Sequence, residues 1–214
     1  MKNAQKLLCL AMVLTSAFAI GQDNNDTNEA SHALTVDVPE VALLDIWDAD
    51  ANTEAGDKNF DMATATQDGV NREAGTYSFN NVSKTNLWLN YTSVVAGAAN
   101  ASGFDLTRKI TVELEDGGTF PESVDLKIVA ETPVIVSGGG TSDSAGSVTS
   151  GGVRLGATTP IGTAADLVTS IESVYTGDMS NGVKLSYTLE QNGNFSDYKA
   201  GSYAATLKYT LTDF

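Results

Sequence analysis

Beyond residue 33 the chain alternates apolar and polar side chains with a period of two, the mark of half-buried β-strands. Leu34, Val36 and Val38 alternate with Thr35 and Asp37 until Pro39 stops the run. Tyr77 and Phe79 repeat the pattern, and Leu87, Leu89 and Tyr91 share one face. Ile110, Val112 and Leu114 alternate with Thr111 and Glu113, and Asp116-Gly117-Gly118 then turns the chain. Val124, Leu126 and Ile128 form the next strand, and the continuous run Val134-Ile135-Val136 reads as a short strand covered on both sides. The pattern is cleanest near the end. Val183, Leu185, Tyr187 and Leu189 face one way, and so do Tyr203, Ala205, Leu207, Tyr209 and Leu211. The turn residues Gln191-Asn192-Gly193-Asn194 follow the first of these two strands, which suggests a hairpin with a long loop.

One segment departs from the alternation. In GTAADLVTSIESVYTG, Leu167, Ile171, Val174 and Tyr175 recur at helical spacing, with Thr163 and Asp166 as start signals and Gly177 as a stop. It predicts one short helix closing an end of the core. Residues 137–152 (SGGGTSDSAGSVTSGG) predict a flexible Gly/Ser loop. Many short strands, turns between them and a single helix give the expected fold: an all-β, antiparallel Ig-like or Greek-key β-sandwich formed by residues 33–214 as a single domain.

Upstream, the composition changes. Lys2 and Lys6 precede the apolar stretch from Leu7 to Thr15, and Ser16-Ala17-Phe18-Ala19 offers a small-residue cleavage site. Residues 1–21 therefore read as a secretory signal peptide, since the apolar stretch is too short to span a bilayer. Residues 22–32 are polar and acidic without periodicity and read as a disordered leader. Cys9, the single cysteine, lies within the signal, so the exported chain has no disulfide and no thiolate. The formal charge of −15 falls to −17 when cleavage before Gln22 removes Lys2 and Lys6. Such a surface repels nucleic acid and anionic lipid. No later segment is long and apolar enough for a membrane helix. The expected destination is the periplasm, the cell surface or the extracellular space.

Candidate chemistry is sparse. The single histidine, His32, stands beside the polar leader, away from any rigid cleft that a nucleophile–base relay needs. No metalloprotease, P-loop or dinucleotide motif occurs. The 27 acidic residues supply many carboxylate pairs, but no two stand out as a glycosidase pair. The expectation is a protein that is not an enzyme. In DIWDADANTEAGD, Asp48, Asp50, Asn52 and Glu54 place oxygen at every second position, a pattern that suits Ca²⁺. The match to an EF-hand loop is partial, with Thr53 and Asn59 where glycine and glutamate belong, and a solvated acidic loop is the plainer alternative. No other cofactor is expected. Trp88 falls on the opposite face from Leu87 and Leu89, where it is a candidate for stacking on a sugar ring; packing beneath a loop or a second sheet is the alternative. Trp47, after Leu43, Leu44 and Ile46, reads as a core residue.

The closing segment AGSYAATLKYTLTDF resembles the last strand of bacterial surface β-sandwich proteins. Gly201, Tyr203, Leu207, Tyr209, Leu211 and Asp213 fill positions similar to the closing motif of WxL-type cell-wall-binding domains, with tyrosine where that family usually has tryptophan. The Trp-x-Leu motif has only Leu87-Trp88-Leu89 as its counterpart, which departs from it: leucine follows tryptophan directly, and the context differs. The same ending resembles fimbrial and spore-coat-U-like subunits, which commonly carry a disulfide and an alternating N-terminal donor strand. This chain lacks the first, and its polar leader is a poor donor, although residues 34–38 could serve as one. The likeness covers the last quarter of the chain. It implies a non-enzymatic surface, fimbria-like or adhesive subunit whose partners are protein subunits, its own copies included. A calcium- or carbohydrate-binding module is the alternative.

Overall fold

The computed structural model describes residues 31–60, 83–97, 106–197 and 199–213. The segment expected to be a signal peptide, most of the expected leader and the strand expected at Tyr77 and Phe79 lie outside the described residues. The chain divides into two units, 1–38 and 39–214. Of the first, residues 31–38 are described: they are exposed and carry no regular structure. The second holds every described strand.

Eleven antiparallel strands are described, in two layers, as the alternation predicts. They are β1 (Val41–Asp48), β2 (Thr53–Glu54), β3 (Ser83–Val94), β4 (Arg108–Leu114), β5 (Val124–Ala130) and β6 (Ser147–Val148). Then come β7 (Val153–Gly156), β8 (Ala165–Ile171), β9 (Val174–Tyr175), β10 (Val183–Gln191) and β11 (Leu207–Asp213). The larger sheet runs β2-β1-β3-β10-β5-β7, with β9 also on β3, and the smaller runs β11-β4-β8-β6. From β3 to β8 each successive strand joins the opposite layer. The inward residues Leu87, Leu89, Ile110, Val112, Ile128, Leu155, Leu185 and Val183 are at most 1% exposed and form one continuous core. Full burial of such a side chain contributes about 1.5–3 kcal/mol.

The predicted helix is not formed: its residues make β8 and β9, and the single helical element described is a 3₁₀ turn at Phe195–Asp197. The reason lies in the pairing of β8 with β4. Arg108 pairs with Ile171, Ile110 with Val168 and Thr111 with Asp166, so β8 carries an extra residue in each interval. Ser170, at φ 59, sits in one of these bulges. The bulges break the period of two, and Leu167, Val168, Ile171 and Val174 all reach the core from an extended backbone at spacings that mimic a helix. The expected hairpin between the last two strands is absent as well. β10 belongs to the larger sheet and β11 to the smaller, where β11 pairs with β4 over seven residues. Residues 134–136 make a single bridge, Val134 to Gly182, and Val134 is exposed.

Residues 137–152 form successive hydrogen-bonded turns and the short β6. Ala145 is wholly buried and its carbonyl accepts a 2.6 Å bond from the Tyr91 hydroxyl. Gly146, at φ 88, lies so close to β8 that a Cβ would come 2.5 Å from the Thr169 carbonyl oxygen. Its glycine is thus set by close packing as well as by backbone conformation.

Tyrosines from the two layers meet inside the sandwich. The Tyr187 hydroxyl on β10 lies 2.8 Å from that of Tyr209 on β11. Burial pushes the Tyr187 phenol up to about 12, and burial raises Tyr209 well above its ordinary value, reinforced by Tyr187. Both groups bind their protons more tightly in the folded chain, so their contribution to stability is complete below about pH 10, the unfolded value. It is lost as pH rises through about 12. Melting temperature should therefore fall steeply above pH 10, and the Tyr187→Phe/Tyr209→Phe double variant should flatten that fall. Either single variant strands one buried hydroxyl and should cost about 1–2 kcal/mol.

Candidate functional site: an open seam and an outer aromatic row

The acidic motif folds as the tight turn between β1 and β2. Asp48 is buried at the end of β1; its Oδ1 accepts the Asp50 and Ala51 amides at 3.0 and 3.3 Å, and its Oδ2 meets the Lys58 ammonium. The bond from Lys58 holds this carboxyl below the usual range against the opposing effect of burial, with the two amides adding to it. Asp50 accepts a 2.9 Å bond from the Asn86 amide. Asn52 occupies the turn at φ 52, and Glu54 lies exposed on β2. The turn thus commits Asp48 and Asp50 to protein donors. Among the described residues no three histidine, cysteine or acidic side chains are grouped to hold a metal ion.

Along one side of the sandwich both layers end on an open strand. β2 covers β1 at Trp47 and Asp48, and the Ala55 amide donates to the Ile46 carbonyl at 2.8 Å, so among the described residues the edge of β1 at 41–45 pairs with no strand outside it. In the facing layer, among the described strands, β11 is the outermost and pairs only with β4. β1 and β11 are in contact across the layers. Their inward residues Leu44, Ile46, Leu207, Tyr209 and Leu211 pack on the core but keep partial exposure. Unpaired edge groups beside incompletely covered apolar side chains form an open seam, the kind of edge to which a further strand can add.

Arg108, at the start of β4, pins one end of this seam. It is 2% exposed, and its Nη1 donates to the Val41 carbonyl at 2.6 Å and to the Val94 carbonyl at 2.9 Å. Nη2 stands 3.8 Å from Glu40. One guanidinium from the smaller sheet therefore holds the ends of β1 and β3 in the larger one. The sequence reading missed this role, because nothing in its pattern separates Arg108 from a surface arginine. Residues 34–38, in the other unit, are the most exposed apolar run described: Leu34, Val36 and Val38 are 82%, 73% and 74% exposed. They form no strand, although their alternation suits one. A strand needs a neighbour to satisfy its backbone, and these residues have none among the described strands.

Trp88 lies on the outer face of β3, as its phase implies, but Trp47 is not in the core. The apolar run before Trp47 occupies both phases of β1, and the pairing with β3 decides between them. Leu44 and Ile46 face inward opposite Tyr91 and Leu89, which leaves Leu43, Asp45 and Trp47 outside. Trp47 pairs in register with Trp88, and both are partly exposed.

The remaining buried charge serves the fold. Asp125, 1% exposed, accepts bonds from the Thr158 amide and hydroxyl and from Asn192, at 2.7, 2.5 and 2.8 Å, tying two loops to β5. Glu190 takes Lys127 at 2.9 Å and Arg154 at 2.7 Å on the outer face, and the Lys127 bond leads in holding its carboxyl low. His32 is exposed in the first unit. No helix among the described residues is long and apolar enough to cross a membrane. The chain matches no protein-family model, no curated protein and no solved structure.

Proposed function

We propose that this chain is a secreted, non-enzymatic structural subunit of the cell exterior, fimbria-like or adhesive, that assembles with copies of itself by strand addition. The observation that carries the reading is the seam between β1 and β11, together with the exposed alternating residues Leu34, Val36 and Val38. A strand from a second copy, laid along the edge of β11, satisfies backbone groups on both sides. It also buries apolar side chains of both chains. A five-residue segment is of the length that β11 accommodates, and three apolar side chains on one face match the inward row of Leu207, Tyr209 and Leu211. The signal-like N-terminus supports export. The engagement of Asp48, Asp125 and Glu190 in structural bonds supports a role other than catalysis.

Sedimentation of the chain from Gln22 onward tests this. The unaltered protein should form concentration-dependent oligomers, and Val36→Asp should be monomeric with an unchanged melting temperature. A native chain that stays monomeric at every concentration, or a Val36→Asp variant that still assembles, contradicts the reading.

A further inference from the structure

We propose that Asp116 is a site of spontaneous isoaspartate formation, a modification of the main chain in the turn that follows β4. Asp116 and Gly117 are exposed, and the Gly117 amide donates to the Asp116 Oδ1 at 3.0 Å. No carbonyl among the described residues takes this N–H instead. Gly117 stands at φ 93, a conformation that glycine adopts freely, and a Cβ added there would meet nothing within 4 Å. The nitrogen therefore lies against the carboxyl group with no side chain to shield it, in a turn open to water.

The step balances with water as its single co-reactant. The Gly117 nitrogen gives up its proton and bonds to the Asp116 Cγ. The carboxyl hydroxyl leaves with that proton as water, which closes a five-membered succinimide. A second water then opens the ring. Attack at Cγ restores aspartate; attack at the main-chain carbonyl of Asp116 breaks its bond to the Gly117 nitrogen and leaves the chain running through Cγ, which is isoaspartate. One water leaves and one enters, and nothing is oxidised or reduced. Holding the two reacting groups together raises the rate of such a ring closure.

The fold selects this site over two that are intrinsically more reactive. Asparagine followed by glycine closes the same ring more readily, because the amide is uncharged and ammonia leaves. Two such pairs lie among the described residues, Asn181-Gly182 and Asn192-Gly193. Both are tied down. The Gly182 amide donates to the Val134 carbonyl at 2.6 Å, and the Asn181 Nδ2 to the Asp178 carbonyl at 2.6 Å. The Asn192 Nδ2 donates to the Asp125 Oδ2 at 2.8 Å and to the Thr158 Oγ1 at 2.9 Å. Ring closure at either pair must first break these bonds, whereas at Asp116 the one contact brings the two reacting groups together. The consequence reaches β11. Isoaspartate adds a methylene to the main chain between Glu115 and Thr119, whose amides donate to the Thr206 and Ala204 carbonyls at 2.8 Å each. Those two bonds fasten the approach to β11.

The test compares the folded chain, from Gln22 onward, with the same chain unfolded in guanidinium, after prolonged incubation at neutral pH. The readout is methyl transfer by an isoaspartate-specific methyltransferase, assigned by peptide mapping. In guanidinium the Asn181 and Asn192 peptides should carry more isoaspartate than the Asp116 peptide. In the folded chain the order should reverse. Asp116→Glu should abolish the signal at that peptide, because the longer side chain must close a less favoured six-membered ring, and should leave the melting temperature unchanged. Hydrogen exchange at the Glu115 and Thr119 amides should be faster in the modified fraction. Folded protein in which the Asn181 or Asn192 peptide leads, or in which the Asp116 peptide gains no isoaspartate, overturns the proposal. So does a signal at that peptide that survives Asp116→Glu.

Discussion

A chain that ends at residue 202 does not fold cooperatively. It loses all of β11, and with it seven residues of pairing to β4 and the inward side chains of Leu207, Tyr209 and Leu211. At roughly 25 cal/mol per Å² these partly buried side chains contribute about 4 kcal/mol together. The lost ladder adds about 0.5–1.5 kcal/mol per hydrogen bond. Tyr187 also loses the hydroxyl it meets across the layers. The sum rivals the whole stability of a typical domain, about 5–15 kcal/mol. Circular dichroism of the truncated chain should show no sharp thermal transition; a cooperative melt near the full-length temperature would make β11 peripheral.

Replacing Arg108 with methionine lowers the melting temperature by about 10 °C. The substitution keeps most of the buried volume but removes the donors that hold the Val41 and Val94 carbonyls, at a cost of about 3 kcal/mol. For a domain of this size each kcal/mol corresponds to about 2–4 °C. Arg108→Lys should recover little, because Nη1 makes both bonds from a position that a lysine ammonium, one bond shorter and on a more flexible stem, does not hold. Calorimetry of the two variants decides it. If lysine restores the full melting temperature, charge alone is what matters at this position.

The fold class was legible because most strands keep the period of two: Leu87, Leu89 and Tyr91 are buried as their phase requires, and so are Val183, Leu185 and Tyr187. Where the pattern misled, a tertiary cause is visible. Bulges in β8 turned an extended segment into one that reads as helical. Apolar residues in both phases of β1 hid the outward placement of Trp47 until pairing with β3 resolved it. The partners of β10 and β11 were beyond reach, since the chain changes layer between them and no local turn records that step. Arg108 had no local signal, because its acceptors are carbonyls of distant strands. The seam was half legible. Leu34, Val36 and Val38 announced a strand, but only the sheet order shows where an open edge waits for one.

From Gln22 onward the sequence contains no cysteine, which makes disulfide trapping clean. Val36→Cys protein mixed under mild oxidation with Thr210→Cys or Leu211→Cys protein places one thiol on the exposed segment and one on the edge of β11. The account predicts covalent dimers between the two variants, formed in at least one pairing and abolished when Leu34 and Val38 are both changed to Asp. Mixtures that stay monomeric in both pairings, at concentrations where the native chain oligomerises, contradict strand addition at β11.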